Sequence, residues 1–476
     1  MVFPPLALRR LAWLGATAAF VAFATGCAAP YDLTYPEPRP LGPVLPSPVY
    51  APPTGAESEA DPPGEVDAAD HEALNEPLAL DEAVALALAQ NPDLRAAAFE
   101  VRAREGEAYQ AARPPNPGLE AGIEEFGGSG DRAGTAAAEV GAGVSQTIEL
   151  GGDRRARAAV AARGAELGAW SFEAARLDLV TRVHQAFASV LAAETRLALA
   201  VEQRDIAARF ADAVTRRAEA GAISPLEARR SAVAAATSEA ALGRARRTLD
   251  AARARLAPLL GVSVVGLDVA GDLDRLTDVP PFERLLPFIA LNPDVARYRT
   301  ALAQAEAQVA LERARRIPDP TLRAGGTYFN EVGEAAVTAG VSIPIPFFDT
   351  NRGAIQAARA RVSGTAAEAE AALLRVERDL AEAYGTYAAA AEAARTLRDD
   401  ALPNARAAFE GIETGYREGE YDLLAVLDAQ RALVETQNAL ADALADAAQS
   451  RAAVERLVAT PLDAAASGVL PNPDNE

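Results

Sequence analysis

The sequence predicts a mainly α-helical protein with a membrane β component, built as two structural repeats of one β-hairpin plus one long helical hairpin. Three observations predict it: a recurring motif, short segments of alternating polarity, and alanine-rich stretches almost free of proline. The tripeptide Asn-Pro-Asp at 91–93 returns at 292–294, and the proline-rich Arg113–Pro117 returns as Arg316–Pro320. A repeat of about two hundred residues indicates a pseudo-symmetric structure.

Each repeat contains two segments in which apolar and polar residues alternate. In the first repeat these segments are 118–126 and 137–148, and in the second they begin near Leu322 and Val337. Alternation predicts strands with one apolar face, and about ten residues suffice for a tilted strand to cross a bilayer. Short polar turns join the members of each pair, so each pair is predicted to be a hairpin.

Four alternating strands are compatible with a soluble β-sandwich as well as with a membrane barrel, because barrel strand signals are weak individually. A barrel in lipid must close, since an open edge leaves backbone groups unpaired. Single-chain barrels start at about eight strands. If these four strands span a membrane, several copies of the chain must therefore combine.

Two long stretches predict the helices. Asp153–Ala220 holds no proline, and Thr350–Gly415 holds only Pro403. At a rise of 1.5 Å per residue such helices reach on the order of 100 Å, which is longer than a globular domain requires. Each is expected to return as a second helix, because a glycine turn follows it.

The two glycine turns are the predicted tips of the helical hairpins. Ser224, followed by Pro225, is the expected N-cap of the first returning helix, and Asp422 is the expected N-cap of the second. The tip residues are Gly221, Ala222, Ile223 and Ser224 in the first hairpin and Gly419, Glu420 and Tyr421 in the second.

The N-terminus has the pattern of a lipoprotein signal peptide. Arg9 and Arg10 precede the apolar run 11–23, which is too short to span a membrane. The sequence Ala-Thr-Gly-Cys then ends at Cys27, the only cysteine, and resembles a bacterial lipobox. Cys27 is therefore the expected acylated N-terminus; the alternative is a chance cysteine near an ordinary cleavage site.

These features divide the chain into six segments. The predicted boundaries are 1–26 for the signal peptide, 27–77 for the lipidated N-terminus and proline-rich tether, 78–260 for the first repeat, 261–280 for a linker, 281–460 for the second repeat and 461–476 for a C-terminal tail.

The order of strand pair and helical hairpin, twice over and behind a lipobox, resembles the TolC-like outer-membrane factors of tripartite efflux pumps. Val144–Gly152 and Val341–Gly353 are similar to the strand-to-helix junctions of the heavy-metal CzcC/CusC-type branch. Tyr416–Gly419 followed by Leu424–Gln430 is similar to the family's second periplasmic tip. The resemblance covers nearly the whole mature chain.

The resemblance implies a homotrimer whose twelve-stranded β-barrel continues as a helical tube into the periplasm. It also implies a periplasmic adaptor protein that docks on the tips, and an inner-membrane pump of the RND type. The expected function is an outer-membrane exit duct for substrates that include heavy-metal cations. The alternative is a lipid-anchored periplasmic coiled-coil scaffold that does not conduct.

The resemblance further implies a gate behind the tips. In the family, acidic residues and a tyrosine hold the inner end of the tube shut, and Glu227, Tyr416 and Asp428 match those positions. Ala425 and Tyr421 depart from the family pattern, which can have a second aspartate and an arginine there. The alternative is that these three residues are ordinary solvated residues of their helices, because the helix dipole stabilises an acidic side chain in a first helical turn in any case.

Composition favours a duct over a catalyst. All 46 basic residues are arginine and the formal charge is −21. The polar strand faces carry Glu120, Glu124 and Glu139 against Arg323, so an acidic lumen that favours cations is expected. A merely solubilising role for the acidic excess is the alternative.

Catalytic and metal chemistry have little support in the sequence. There is no methionine after Met1, and His71 and His184 are the only histidines. Soft or imidazole metal sites need cysteine, methionine or histidine, and no catalytic triad or phosphate-binding loop is present. We therefore expect no enzyme activity, no resident metal and no cofactor.

Lipidation gives the first prediction. Cys27→Ser should abolish labelling by radioactive palmitate, because the thiol is the acylation site. A second variant, with Cys27→Ser behind a non-lipoprotein signal peptide, should still insert in the outer membrane, because a closed belt of strands needs no lipid anchor. Label that persists in Cys27→Ser would contradict the assignment.

Overall fold

The computed structural model describes residues 33–41, 77–264, 266–273 and 278–466; Cys27 and His71 lie outside them. The described elements run twice through the order helix, two strands, long helical hairpin. The helices are α1 Leu80–Gln90, α2 Pro92–Ala111, α3 Asp153–Glu219, α4 Pro225–Leu260, α5 Pro293–Ala314, α6 Arg352–Thr396, α7 Leu402–Glu418, α8 Leu423–Val458 and α9 Leu462–Ala466. The strands are β1 Gly118–Glu124, β2 Glu139–Thr147, β3 Thr321–Phe329 and β4 Glu334–Ser342.

These elements belong to two compact units. Of the described residues, the strand unit comprises 103–166 and 301–363 together with Leu33 and Thr34. The helix unit comprises the described residues 35–41, 77–102, 167–264, 266–273, 278–300 and 364–466. The long helices α3 and α6 each begin soon after a strand pair and have residues in both units.

The strand unit contains one antiparallel sheet in the order β1-β2-β3-β4. The register places Glu124 opposite Glu139 and Ser145 opposite Arg323. Residues directly opposite each other share a face of the sheet. The alternation in the sequence therefore becomes two chemically different faces, and β1 and β4 are the two edges.

The first long helix, α3, has 67 residues and returns as α4. The second is interrupted once, by a π-helical turn at Leu397–Ala401 between α6 and α7. Pro403 lies just beyond it and has no backbone N–H to donate to the preceding turn, which accounts for the irregularity. None of the helices in the described ranges is long and apolar enough to cross a membrane.

The first Asn-Pro-Asp motif forms a buried link between two helices of the helix unit. Asn91 is 2% exposed. Its Oδ1 accepts a hydrogen bond from the Leu94 amide at 3.0 Å, and its Nδ2 donates to the Leu259 carbonyl at 3.0 Å. One side chain thus caps the start of α2 and satisfies a carbonyl at the end of α4.

The second motif repeats this link. Asn292 is fully buried, accepts from the Asp294 amide at 2.8 Å and donates to the Leu457 carbonyl at 2.9 Å, so it joins the start of α5 to the end of α8. The repeated motif is therefore structural: each copy ties a short helix to the last turn of a returning helix.

Part of the predicted tether is fixed to α3. Arg176, 1% exposed, donates to the carbonyls of Leu41 and Arg39 at 2.9 and 2.8 Å and also pairs with Glu173 at 2.7 Å. Glu173 in turn accepts from the Arg39 amide at 2.7 Å. Because these bonds go to backbone groups, they fix the path of Arg39–Leu41.

The asparagine link gives the second prediction. Asn292→Ala should lower the free energy of unfolding by about 2–3 kcal/mol, because it removes an N-cap and leaves a buried carbonyl unpaired. Urea unfolding of the purified protein in detergent would measure the change. Asn438→Ala is the matched control, because among the described residues the Asn438 side chain bonds only the Val434 carbonyl of its own helix. Equal effects of both variants would contradict the link.

Candidate functional site

One face of the sheet is polar. The register puts Glu120 and Glu124 of β1, Glu139 of β2 and Arg323 of β3 on this face, as the sequence predicts. The Arg323 Nε lies 3.9 Å from the Glu120 Oε1, and both side chains are exposed. Glu334 of β4, opposite Phe329, lies on the same face, so four carboxylates share it with one guanidinium. The place of the predicted residues in a lumen stays a prediction.

Glycines allow the strands to approach closely on the polar face. Gly143 and Gly325 lie directly opposite each other on β2 and β3. A β-carbon at Gly325 would lie 2.7 Å from the Ala142 carbonyl oxygen and 2.9 Å from the Gly143 Cα. Such distances exclude any side chain, so glycine is required at this position.

The other face of the sheet is apolar and exposed. Leu119, Val337 and Val341 are 80, 89 and 63% exposed. The same face carries Ile123, Val140, Val144, Leu322 and Tyr328. Soluble monomers rarely expose a contiguous apolar surface of more than a few hundred Å². This face therefore requires an apolar environment, which a lipid bilayer provides.

At the first strand-to-helix junction, Arg157 of α3 binds the segment before β1. Its guanidinium pairs with Glu149 at 2.8 Å and donates to the carbonyls of Ala111 and Arg113 at 2.9 and 3.1 Å. Burial raises the pKa of the nearby Asp153, and the neighbouring carboxylates of Asp319 and Glu149 raise it further. The junction is thus a dense cluster of charges.

At the second junction, Asn351 adopts a left-handed backbone with a φ of 54° just before α6. Its Nδ2 donates to the Glu312 carbonyl at 2.7 Å and to the Glu312 Oε2 at 3.0 Å. The hydrogen bond from Asn351 lowers the pKa of the Glu312 carboxyl, and Arg315 lowers it further. Asparagine tolerates the left-handed region better than most residues, which explains its presence here.

The predicted N-caps at the tips are confirmed. Ser224 Oγ accepts from the Leu226 amide at 3.2 Å, and Asp422 Oδ1 accepts from the Ala425 amide at 3.0 Å. The glycines adopt the left-handed conformation that ends a helix, with φ of 71° at Gly221 and 88° at Gly419. All tip residues are exposed except the half-buried Ile223: Gly221, Ala222, Ser224, Gly419, Glu420 and Tyr421.

The second tip contains a contact that the sequence analysis misses. A β-carbon at Gly415 would lie 2.7 Å from the Tyr421 Cε2, so the tyrosine ring packs against the bare backbone of α7. The sequence does carry a signal for this contact: Gly415 is a glycine inside a predicted helix, and such a glycine often marks close packing.

The three proposed gate residues do not meet within one chain. Tyr416 packs against Phe210, with ring centroids 5.5 Å apart, and its buried hydroxyl has no hydrogen-bond partner among the described residues. The Asp428 side chain is 74% exposed, and Glu227 lies in the first turn of α4. In the described part of the chain, no hydrogen bond or ion pair joins any two of Glu227, Tyr416 and Asp428.

Metal ligands are not clustered in the described structure. Within residues 33–41, 77–264, 266–273 and 278–466, no group of three or more histidine, cysteine, aspartate or glutamate side chains is arranged to hold a metal ion. His184 lies on α3, where burial lowers its pKa and favours the neutral form.

A two-faced sheet joined to long helical hairpins defines an outer-membrane efflux channel fold, and comparisons with known proteins agree. The model of the outer membrane efflux protein family matches residues 83–262 and 288–460, and the chain belongs to this family. It is 34% identical over 383 residues to the cobalt-zinc-cadmium resistance protein CzcC of Cupriavidus metallidurans, covering 80% of this chain and 90% of that protein.

A second relative is the pyoverdine export outer membrane protein OpmQ of Pseudomonas putida. It is 27% identical over 399 residues, which cover 75% of this chain and 81% of that protein. Among solved structures, CusC matches with a TM-score of 0.68 and 18% identity, covering 80% of this chain and 91% of that chain. The predicted family, fold class, outer-membrane location and exit-duct function are confirmed.

The close strand approach gives the third prediction. Gly325→Val should destabilise the sheet by about 1–3 kcal/mol or more, because the added side chain meets the backbone of β2. Extraction of outer membranes with urea would measure the fraction of inserted protein, which should fall. Gly340→Val is the control, because a β-carbon at Gly340 on the same face meets no atom within 4 Å. Full insertion of Gly325→Val would refute the requirement.

Proposed function

We propose that three copies of this chain form a closed exit duct that carries divalent metal cations out of the cell, together with an adaptor and an inner-membrane pump of the RND type. The observation that carries the proposal is the sheet, which has four strands, one exposed apolar face and two edges. In lipid an unpaired edge is costly, so β1 of one copy pairs with β4 of the next. Three copies give twelve strands, which is within the range of closed barrels.

The helix unit supports the same assembly. Arg253 of α4 pairs with Glu194 of α3 at 3.0 Å, and Gln185 of α3 donates to the Gln449 carbonyl of α8 at 3.3 Å. These contacts place α4, α3 and α8 in one row, which α7 extends through its hairpin with α8. This row has a helix with an unpartnered side at each end. Helices of further copies extend the row there until it closes into a tube.

Divalent cations are the substrates that the charges favour. Glu120, Glu124 and Glu139 outnumber Arg323 on the polar face, and three copies multiply the excess. A ring of carboxylates lowers the energy of a cation in a pore. The relative named for cobalt, zinc and cadmium resistance is 34% identical, against 27% for the pyoverdine exporter, and this difference supports metal cations.

The tips are the proposed docking surface for the adaptor, because they are exposed turns with fixed backbone geometry. Gly221→Val should impair metal export, because valine strains a residue whose φ is 71° and alters the turn. Outer-membrane trimers should remain. Measured zinc accumulation in cells should rise, while Gly243→Val, on α4 with open space around it, should have no effect. Normal export by Gly221→Val would reject the docking role.

The proposed gate consists of Glu227, Tyr416 and Asp428 from all three copies. A three-fold ring of Asp428 would bring like charges close together and attract cations. Asp428→Ala combined with Tyr416→Phe should increase single-channel conductance severalfold and weaken block by divalent cations. Planar bilayer recordings measure both quantities.

The control for the gate is Glu435→Ala, because Glu435 is an exposed acid of the same helix α8. The control should conduct like the wild type. Unchanged conductance and unchanged block in the gate variant would remove these residues from the mechanism. Absence of any wild-type current would instead favour the non-conducting scaffold.

A further inference from the structure

We propose that a groove in the strand unit binds an anionic phospholipid, with the acyl chains on the apolar face of the sheet and the headgroup phosphate on Arg154 and Arg155. The inference rests on the insertion of the sheet in a membrane and specifies which lipid is bound and where. It concerns the helix-proximal end of the sheet, where β2 leads into α3.

The groove has a volume of about 2040 Å³. Its wall takes one apolar side chain from each strand: Leu119, Val144, Leu322 and Val341. All four lie at the helix-proximal end of the sheet and are 46–80% exposed. A space of this size with an apolar wall suits acyl chains better than a small polar ligand.

Uncompensated cations line the other end of the groove. Arg154 and Arg155 lie in the first turn of α3, are exposed, and have no ion pair or hydrogen bond from their side chains among the described residues. Arg157, one turn further, pairs with Glu149 and two carbonyls and so has little capacity left. Two free guanidinium groups beside an apolar wall complement a lipid phosphate, which accepts charge-assisted hydrogen bonds.

The surroundings favour lipid over a second copy of the chain. The groove crosses the face of all four strands, whereas a second copy is expected at the edges of β1 and β4. The loop after β4, at the same end of the sheet, also exposes Ile345, Phe347 and Phe348 by 85, 79 and 93%. Exposed apolar side chains therefore continue past the end of β4, as at the boundary between acyl chains and headgroups.

The test uses the full-length protein purified in detergent and native mass spectrometry with added phosphatidylglycerol or phosphatidylcholine. The wild type should bind phosphatidylglycerol more tightly. Arg154→Gln with Arg155→Gln should reduce that affinity about thirtyfold and leave phosphatidylcholine binding unchanged, since each of the two arginines contributes on the order of 1 kcal/mol toward anionic lipid. Arg182→Gln with Arg209→Gln is the control, because both are exposed arginines of α3 outside the groove.

Equal affinity for the two lipids, or an equal loss in both double variants, would overturn the site. Displacement of phosphatidylglycerol by millimolar inorganic phosphate would overturn the part played by the acyl chains. A Leu119→Cys variant that cross-links to another copy would show that protein covers the groove. The Arg154→Gln, Arg155→Gln channel should still conduct in planar bilayers, so failure of the lipid site is distinguishable from failure of the duct.

Discussion

The unpaired edges of a four-stranded sheet with one exposed apolar face are the constraint on which the rest of this structure depends. Exposure of the apolar face to water is unfavourable, so the sheet belongs in lipid. In lipid, however, the backbone amides and carbonyls at the sheet edges have no hydrogen-bond partner, which is costly. Pairing of the edges with strands of other copies removes this cost while the apolar face stays in lipid. The glycines Gly143 and Gly325 on the polar face let β2 and β3 approach closely without side chains between them.

Buried hydrogen bonds hold helices of the helix unit together. In the helix unit, Asn91 and Asn292 each use a single buried amide to cap one helix and to bind the last turn of another. Burial makes these bonds costly to break, because an unmade hydrogen bond leaves a desolvated carbonyl. The duplicated motif thus fixes both hairpins at equivalent points, and the pseudo-symmetry of the sequence becomes pseudo-symmetry of contacts.

Local patterns predicted much of this fold. Alternation of polarity gave the faces of the strands, and the residues at Ser224 and Asp422 gave the starts of the returning helices, because both signals act over a few residues. Helices α1, α2 and α5 were not predicted, although Asn followed by Pro is an N-cap signal at the start of α2 and α5. The packing of Phe210 on Tyr416 and the binding of Arg39 by Glu173 join residues far apart in sequence, so no local pattern reveals them.

The closure of β1 on β4 between copies is the central claim, and disulfide scanning tests it most directly. Cysteine at Ala121 of β1 would be combined in turn with cysteine at successive β4 positions from Ala335 to Val341; Cys27 is the only native cysteine. The account predicts strong cross-linking at the one β4 position that lies directly opposite Ala121, with cross-linked products that stop at three copies. Absence of any cross-link along β4, or ladders that extend beyond three copies, would contradict it.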